Sequence, residues 1–126
     1  MQFNASTGYA LQIMLYLTKN RRVVSSMELI ENIAVSQRYL HKIAGKLRNG
    51  GLVVTKIGMS GGYTLHKEPS LISVYDIILL MEGGIHIPES VVPPVYIKSR
   101  LDDTLLQLKE YFEEYLRSVT LDKLSN

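Results

Sequence analysis

The sequence contains no cysteine among its 126 residues. Without thiols, the chain cannot form disulfides, use a cysteine nucleophile, or hold zinc or an iron–sulfur cluster through thiolates. It also lacks an apolar run of the roughly 18 residues needed to cross a bilayer. The start, MQFNASTGYA, has neither the basic residues nor the apolar stretch of a signal peptide. We therefore expect a cytoplasmic protein with no membrane partner and no cofactor.

Catalytic groups are scarce as well. His41, His66 and His86 are scattered along the chain without a supporting nucleophile or base motif. His86 and Glu89 stand three residues apart in a proline-rich stretch, and one such pair is a weak signal for a metal site. The sequence therefore predicts neither an enzyme nor a metal centre.

Charge is distributed unevenly along the chain. Residues 1–68 contain nine Lys or Arg and three acids, a balance of +6, whereas residues 69–126 balance to -4. A basic part followed by an acidic part indicates a module that binds a polyanion, joined to a part with another task. The alternative interpretation is that these charges only solvate helix faces.

Three helices are predicted in the basic part. A helical stripe of apolar residues predicts the first over about residues 8–19. Ser25 and Glu28 form a capping-box pattern at the start of a short second helix. Ser36 is suited to cap a third helix, QRYLHKIAGKLRN, which would end in a left-handed cap at Gly50-Gly51.

The third helix has one apolar and one basic face. Its apolar face consists of Leu40, Ile43, Ala44 and Leu47, and its opposite face carries Gln37, Arg38, His41, Lys42, Lys46 and Arg48. Two short helices with a tight turn, the second basic on its outer face, match a helix-turn-helix. In that motif the second helix enters the major groove of DNA.

A β-hairpin is predicted directly after the third helix. The runs LVVTKI and YTLH favour strands, and Gly58, Gly61 and Gly62 lie between or beside them. A helix-turn-helix followed by a β-hairpin is a winged helix. We therefore expect the three glycines to form a wing tip that lies against the DNA backbone or the minor groove. We expect Tyr63 to pack in the core rather than contact DNA. A nucleotide-binding loop is disfavoured, because it requires a helix where a strand follows here.

The acidic part is predicted to contain a helix, a linker and a long helix. Ser73 and Asp76 begin the first helix, and Gly83-Gly84 end it. The linker combines three prolines with apolar side chains at Val91, Val92, Val95, Tyr96 and Ile97. These side chains favour packing against the body of the protein, with a ligand pocket as the alternative.

The long helix shows the clearest periodicity in the chain. The residues Leu101, Leu105, Leu108, Phe112, Tyr115 and Val119 follow the heptad spacing of a helix packed lengthwise on another helix. A helix over residues 99–118 would span about 30 Å, and one small domain offers little to cover it. We therefore expect a two-fold homodimer, with intramolecular packing as the alternative.

Five segments carry a family resemblance: STGYAL, VSQRYLHKIAGKLRNGGLV, GMSGGYTL, ISVYDIILLMEGG and TLDKL. Together they resemble the Rrf family of bacterial winged helix-turn-helix regulators, of the IscR, NsrR and CymR type. The resemblance implies a mainly α fold with a small β-hairpin. Residues 1–68 would form the winged helix-turn-helix DNA-binding domain, and residues 69–126 the helix, the linker and the long C-terminal dimerisation helix.

The resemblance also implies a function. Family members are homodimeric transcription factors, usually repressors, and a near-palindromic operator in double-stranded DNA is expected from the two-fold symmetry. The exposed positions that match the family's reading residues are Gln37, Arg38, His41 and Lys42, and the full set of DNA-binding candidates adds Ser36, Tyr39, Lys46, Lys56, Ser60, Gly61 and Gly62.

This chain departs from the family pattern at three places. His41 replaces a common glutamate, and Ile57 replaces a common wing arginine, which predicts a different operator preference and puts minor-groove readout in question. The cysteines that hold an iron–sulfur cluster in several members are absent, so the resemblance is to a cluster-free branch that responds to a small molecule or a partner protein. The candidate effector region is His86, Val92 and Tyr96. A winged-helix module that binds proteins without specific DNA binding is the alternative function.

Overall fold

The computed structural model describes residues 2–86 and 100–125. Along the chain it contains α1 (Ala5–Lys19), α2 (Ser26–Ile33), α3 (Gln37–Asn49), β1 (Val53–Lys56), β2 (Gly62–Leu65), a short 3₁₀ turn (Pro69–Leu71), α4 (Val74–Glu82), α5 (Arg100–Ser118) and α6 (Leu121–Leu124). The mainly helical class with one antiparallel hairpin and a long C-terminal helix is confirmed. In these two stretches, no helix has both the length and the apolar character needed to cross a membrane.

Helix α1 begins three residues earlier than the apolar stripe predicts. Asn4 occupies its N-cap position in an extended conformation, but the Asn4 side chain does not cap the helix. Instead, the Glu82 carboxylate accepts hydrogen bonds from the Asn4 backbone N–H at 2.7 Å and from the Thr7 hydroxyl. A negative group at a helix N-terminus is favoured by the helix dipole. The start of α1 is therefore stabilised by a residue from the end of α4.

The two serine caps of the helix-turn-helix are confirmed. The Ser25 hydroxyl accepts from Glu28 N–H at 3.1 Å, and the Ser36 hydroxyl accepts from Tyr39 N–H at 3.2 Å. The capping box at α2 forms only in part, because the Glu28 carboxylate bonds to Tyr16 and Arg22. Helix α3 covers the predicted residues and no others.

Two left-handed residues shape the connections around α3. Ala34 adopts φ 58° and ψ 43° at the end of α2, which turns the chain sharply into α3. After α3, Gly50 has an ordinary φ of -82°, and Gly51 takes the left-handed conformation with φ 77°. The predicted glycine stop is correct, but the left-handed position is Gly51 and not Gly50.

One hydrophobic core includes residues on both sides of position 68. Its side chains include Ile13, Met14 and Leu17 of α1, Leu40, Ile43 and Leu47 of α3, Ile72, Ile77 and Met81 in and before α4, and Leu121 of α6. Burying one such large apolar side chain contributes about 1.5–3 kcal/mol. The division at residue 68 into a DNA-binding part and a dimerisation part stays a prediction about function.

The C-terminal end of the chain is tied to this core by main-chain hydrogen bonds. Val74 N–H donates to Val119 O at 2.8 Å, and Leu121 N–H donates to Ile72 O at 3.0 Å. Val119, expected as the last heptad position of the long helix, therefore lies one residue past the end of α5. The guanidinium carbon of Arg117 lies 4.3 Å from the centre of the Tyr75 ring, which joins the end of α5 to the start of α4.

Candidate nucleic-acid interface

The outer face of α3 is an exposed, basic surface. Leu40, Ile43, Ala44 and Leu47 bury the opposite face in the core, which fixes the helix orientation. The side chains left exposed by this packing are Gln37, Arg38, His41, Lys42, Lys46 and Arg48. We call these six residues the α3 surface. The prediction of which α3 residues face outward is therefore confirmed, while their contact with DNA stays a prediction.

Two cations of the α3 surface differ from other basic residues nearby in having no ion-pair partner among the described residues. Arg21 pairs with Glu68 at 3.4 Å, and Arg22 pairs with Glu28 at 2.7 Å. No comparable ion pair joins Arg38 or Lys42 to an acid in the part of the chain that the structure describes. Unpaired cations on one helix face attract phosphate groups. The cations of α3, the helix expected to read DNA, are therefore available to bind a polyanion.

Ser36 and Tyr39 support α3 rather than extend its open face. Ser36 is the helix cap. Tyr39 is half-buried, and its ring meets the Tyr9 ring edge to face, with 5.5 Å between ring centres. Such edge-to-face pairs are favoured by aromatic quadrupoles. The ring contact packs α3 on α1, and the Ser36 bond holds the first turn of α3. That both residues bind DNA stays a prediction.

The glycines of the wing differ from the prediction. Gly58 lies in open space with φ 112°, whereas Gly62 belongs to β2, where it pairs with Lys56. A Cβ added to Gly62 would lie 2.6 Å from the Val24 carbonyl carbon. The prediction that all three glycines form the tip is therefore wrong for Gly62. The backbone that comes close to Gly62 is the protein's own.

This close approach anchors the wing to the body of the protein. Val24 and Tyr63 exchange two main-chain hydrogen bonds, each 2.8 Å long, so Val24 adds a one-residue third strand to the hairpin. Tyr63 is buried in the core, which confirms its predicted packing role. Lys56 and Ser60 remain exposed on the hairpin and its loop. Sequence reasoning missed Val24, since nothing local marks it as a strand partner.

The Glu28 carboxylate also fixes α2 to α1 and to the segment between the two helices. The Tyr16 hydroxyl donates to the Glu28 carboxylate at 2.5 Å, and Arg22 donates to the same group at 3.0 and 2.7 Å. The bonds from Arg22, followed by that from Tyr16, hold the pKa of Glu28 below its usual range. Glu28 therefore links α2, α1 and the segment between them.

The Glu82 carboxylate makes a similar junction next to the predicted effector region. Hydrogen bonds from Thr7 and from the Asn4 backbone hold the pKa of Glu82 below its usual range. Four residues later, the His86 Nε2 atom lies 2.9 Å from the Glu82 carbonyl oxygen. His86 is exposed. The other two predicted effector residues, Val92 and Tyr96, lie outside the described residues.

Acid should weaken the Glu28 junction. Because its pKa is lower in the folded state than in the unfolded state, the stability that Glu28 contributes is present above the ordinary carboxyl pKa and is lost as pH falls through the lowered value. We expect Glu28→Gln to lower the melting temperature at about pH 7 and to flatten its decline towards about pH 3. Thermal melts across this range check the prediction. Glu31→Gln, an equal charge change at an exposed position of the same helix, is the control, and identical curves for both variants would contradict it.

Both the sequence and the fold are similar to those of known proteins. The family model Rrf2, described as an iron-dependent transcriptional regulator, matches residues 3–126. The transcriptional regulator CymR of Bacillus subtilis (strain 168) is 31% identical over 128 residues, which cover 100% of this chain and 91% of CymR. The structure of B. subtilis CymR (YrzC), the global cysteine regulator, matches with a TM-score of 0.83 at 30% identity, covering 99% of this chain and 96% of that one. The structure of T. potens IscR matches with a TM-score of 0.82 at 29% identity, covering 98% of this chain and 85% of that one.

The absence of cysteine and the described residues do not fit the iron of that family description. With no cysteine in the sequence, no thiolate can hold an iron–sulfur cluster. Across residues 2–86 and 100–125, no group of three or more His, Asp or Glu side chains could hold a metal ion. The chain therefore shares the fold of these regulators without the thiolate ligands of a cluster.

Proposed function

The chain belongs to the Rrf2 family of transcriptional regulators, and from this premise we propose that it is a cytoplasmic homodimer that represses transcription by binding a near-palindromic operator. The observation that carries the proposal is the α3 surface, whose cations Arg38 and Lys42 have no acidic partner among the described residues. Serine caps and core packing hold this surface rigidly beside the anchored wing. A helix held in this way can enter the major groove at low entropic cost.

The dimer is supported by the exposure of α5. None of the nineteen residues of this helix is buried. Leu108 is 43% exposed and Tyr115 is 61% exposed, and both belong to its heptad stripe. A second copy would cover this stripe by pairing helix with helix. The two-fold axis would then set two α3 surfaces about 34 Å apart, one turn of DNA.

A single charge introduced into the proposed interface tests the dimer directly. We expect Leu108→Glu to raise the dimer dissociation constant at least about a hundredfold, because a carboxylate would be desolvated between two helices. Sedimentation velocity over a range of protein concentrations measures this change. Gln107→Glu adds the same charge at the neighbouring exposed position, outside the stripe, and should leave the dimer intact. Equal behaviour of the two variants would contradict the proposed interface.

The operator itself is testable by selection. The purified protein is used to select binding sequences from a pool of random duplexes through repeated rounds. We expect enriched sequences with two inverted half-sites whose centres lie about one turn apart. A single, unrepeated half-site would contradict dimeric binding, and no enrichment would contradict sequence-specific binding altogether.

We also propose that the regulator responds to a small molecule or a partner protein. Supporting this is the position of His86, which lies against Glu82, the residue that caps α1. A ligand that displaced His86 would act on the start of α1, against whose Tyr9 ring the α3 residue Tyr39 packs. His86, Val92 and Tyr96 remain the proposed effector residues.

A further inference from the structure

The loop of the wing, residues 57–61, exposes two large apolar side chains. Ile57 is 98% exposed and Met59 is 107% exposed relative to a free reference residue. Burial of an apolar side chain of this size contributes about 1.5–3 kcal/mol, and neither residue gains this energy in the folded chain. Ile57 and Met59 therefore contribute almost nothing to the fold.

The loop that carries them is braced by its own backbone. Gly61 N–H donates to Gly58 O at 3.0 Å, which closes the turn. A Cβ added to Gly61 would lie 2.9 Å from Gly58 O and 3.1 Å from the Lys56 carbonyl carbon. The turn is tight enough to require glycine at this position. The backbone that carries the two apolar side chains is consequently held in a defined conformation, which reduces the backbone entropy lost on binding.

The base of the wing is also fixed relative to the α3 surface. The hydrogen bonds between Val24 and Tyr63 attach the hairpin directly before the Ser25 cap of α2. Helix α2 is followed by α3 after the sharp turn at Ala34. When α3 lies in a major groove, the wing tip therefore reaches one particular neighbouring part of the same duplex.

Size and charge both favour DNA as the partner of this tip. Two side chains cover far less than the roughly 800 Å² that each partner contributes to a standard protein interface. By contrast, isolated Ile, Met, Leu or Phe side chains are the wedges that proteins insert between base steps from the minor groove. Exposed Lys56 directly precedes Ile57, within a part of the chain that carries a balance of +6. A polyanion fits this setting better than an apolar protein surface.

We propose that Ile57 and Met59 enter the minor groove next to the major-groove site of α3 and bend the duplex there. The inference rests on the proposed function, because it requires that α3 bind DNA. It assigns the wing a role based on apolar contact, whereas an arginine in the same place would act through charge. It further predicts a preference for pyrimidine–purine steps under the tip, since these steps unstack most easily.

The test uses the full chain with Ile57→Ser and Met59→Ser combined. The probe is the duplex that the unaltered protein selects from a random pool, with dyes at both ends. We expect the double variant to bind at least about tenfold more weakly, because the apolar burial that it loses exceeds the cost of unstacking the bases. It should also bring the duplex ends less close together in energy-transfer measurements. The dependence of affinity on salt should be unchanged, because no phosphate contact is removed. Leu71→Ser, at another exposed apolar residue, is the matched control and should bind and bend like the unaltered protein.

The possible results separate this inference from the proposed function. If the double variant kept its affinity and bending while Lys42→Ala weakened binding to the same duplex, the inference would be overturned. The proposed function would stand. A weaker complex with a smaller salt dependence would also overturn it, since phosphate contacts would then be the cause. Failure of the unaltered protein to enrich any duplex would overturn the proposed function itself. Equal melting temperatures of the variants would show that the wing mutations act on binding alone.

Discussion

Gly62→Ala is expected to destabilise the folded protein by about 3–5 kcal/mol. The added methyl carbon would lie 2.6 Å from the Val24 carbonyl carbon and 2.9 Å from the Ser25 Cα atom, and both are backbone atoms that cannot rotate away. Gly62 also adopts φ 150°, a conformation that alanine rarely accepts. The wing would have to separate from Val24, which would break the two hydrogen bonds between Val24 and Tyr63.

Chemical denaturation monitored by circular dichroism measures this effect. Gly8→Ala is the matched control, because Gly8 lies in α1 and an added Cβ would meet nothing within 4 Å. That change should stabilise the protein by up to about 1 kcal/mol through helix propensity. If Gly62→Ala kept the stability of the unaltered protein, the wing would not be anchored as the structure has it.

The second large effect is expected on DNA binding. Replacing both Arg38 and Lys42 with alanine should weaken binding to the selected duplex at least about a hundredfold, because a base or phosphate contact is worth about 1–3 kcal/mol. If both residues grip phosphate in both subunits of the dimer, four contacts are lost and the slope of log affinity against log salt should fall by about 3.6. If Arg38 reads a guanine, the slope should fall by about half as much, and discrimination between sequences should also decrease.

Fluorescence anisotropy titrations at several salt concentrations distinguish these cases. Lys109→Ala is the control, since it removes one exposed positive charge from α5, far along the chain from the α3 surface. It should leave both affinity and slope unchanged. If Lys109→Ala lost half as much binding free energy as the double variant, in proportion to the charge removed, then total charge and not the α3 surface would govern the interaction.

The parts of the fold that could be predicted from the sequence are those set by neighbouring residues. Helix α3 was predicted with its observed ends, because Ser36 caps it and two glycines stop it. The hairpin and the helix start at Ser73 and Asp76, which form a capping box, were predicted for the same reason. In each case the residues that decide the structure lie within a few positions of one another.

The parts that could not be predicted depend on contacts between distant residues. The start of α1 is set by Glu82, which is 78 positions away from Asn4. Helix α6 is only four residues long, too short for a periodic pattern, and Leu121 secures it in the core. The Glu28 carboxylate leaves its capping box because Arg22 and Tyr16 offer stronger, charge-assisted bonds.

The candidate site shows the same division. The outward-facing residues of α3 follow from helical periodicity, so the sequence was sufficient to find them. Gly62 was assigned to the wing tip because glycine allows close approach to any backbone, and the sequence does not say which backbone approaches. The structure gives Val24 as that partner. The exposed pair Ile57 and Met59 became visible only once their burial was known.

The most direct test of DNA recognition is the anisotropy of the unaltered protein on two duplexes. One carries the DNA upstream of its own gene, and the other carries the same bases in scrambled order. The proposed function predicts tight binding to the first, at least about a thousandfold weaker binding to the second, and an affinity that falls steeply with salt. Equal and weak binding to both duplexes would contradict it and would favour a winged-helix module that binds another protein.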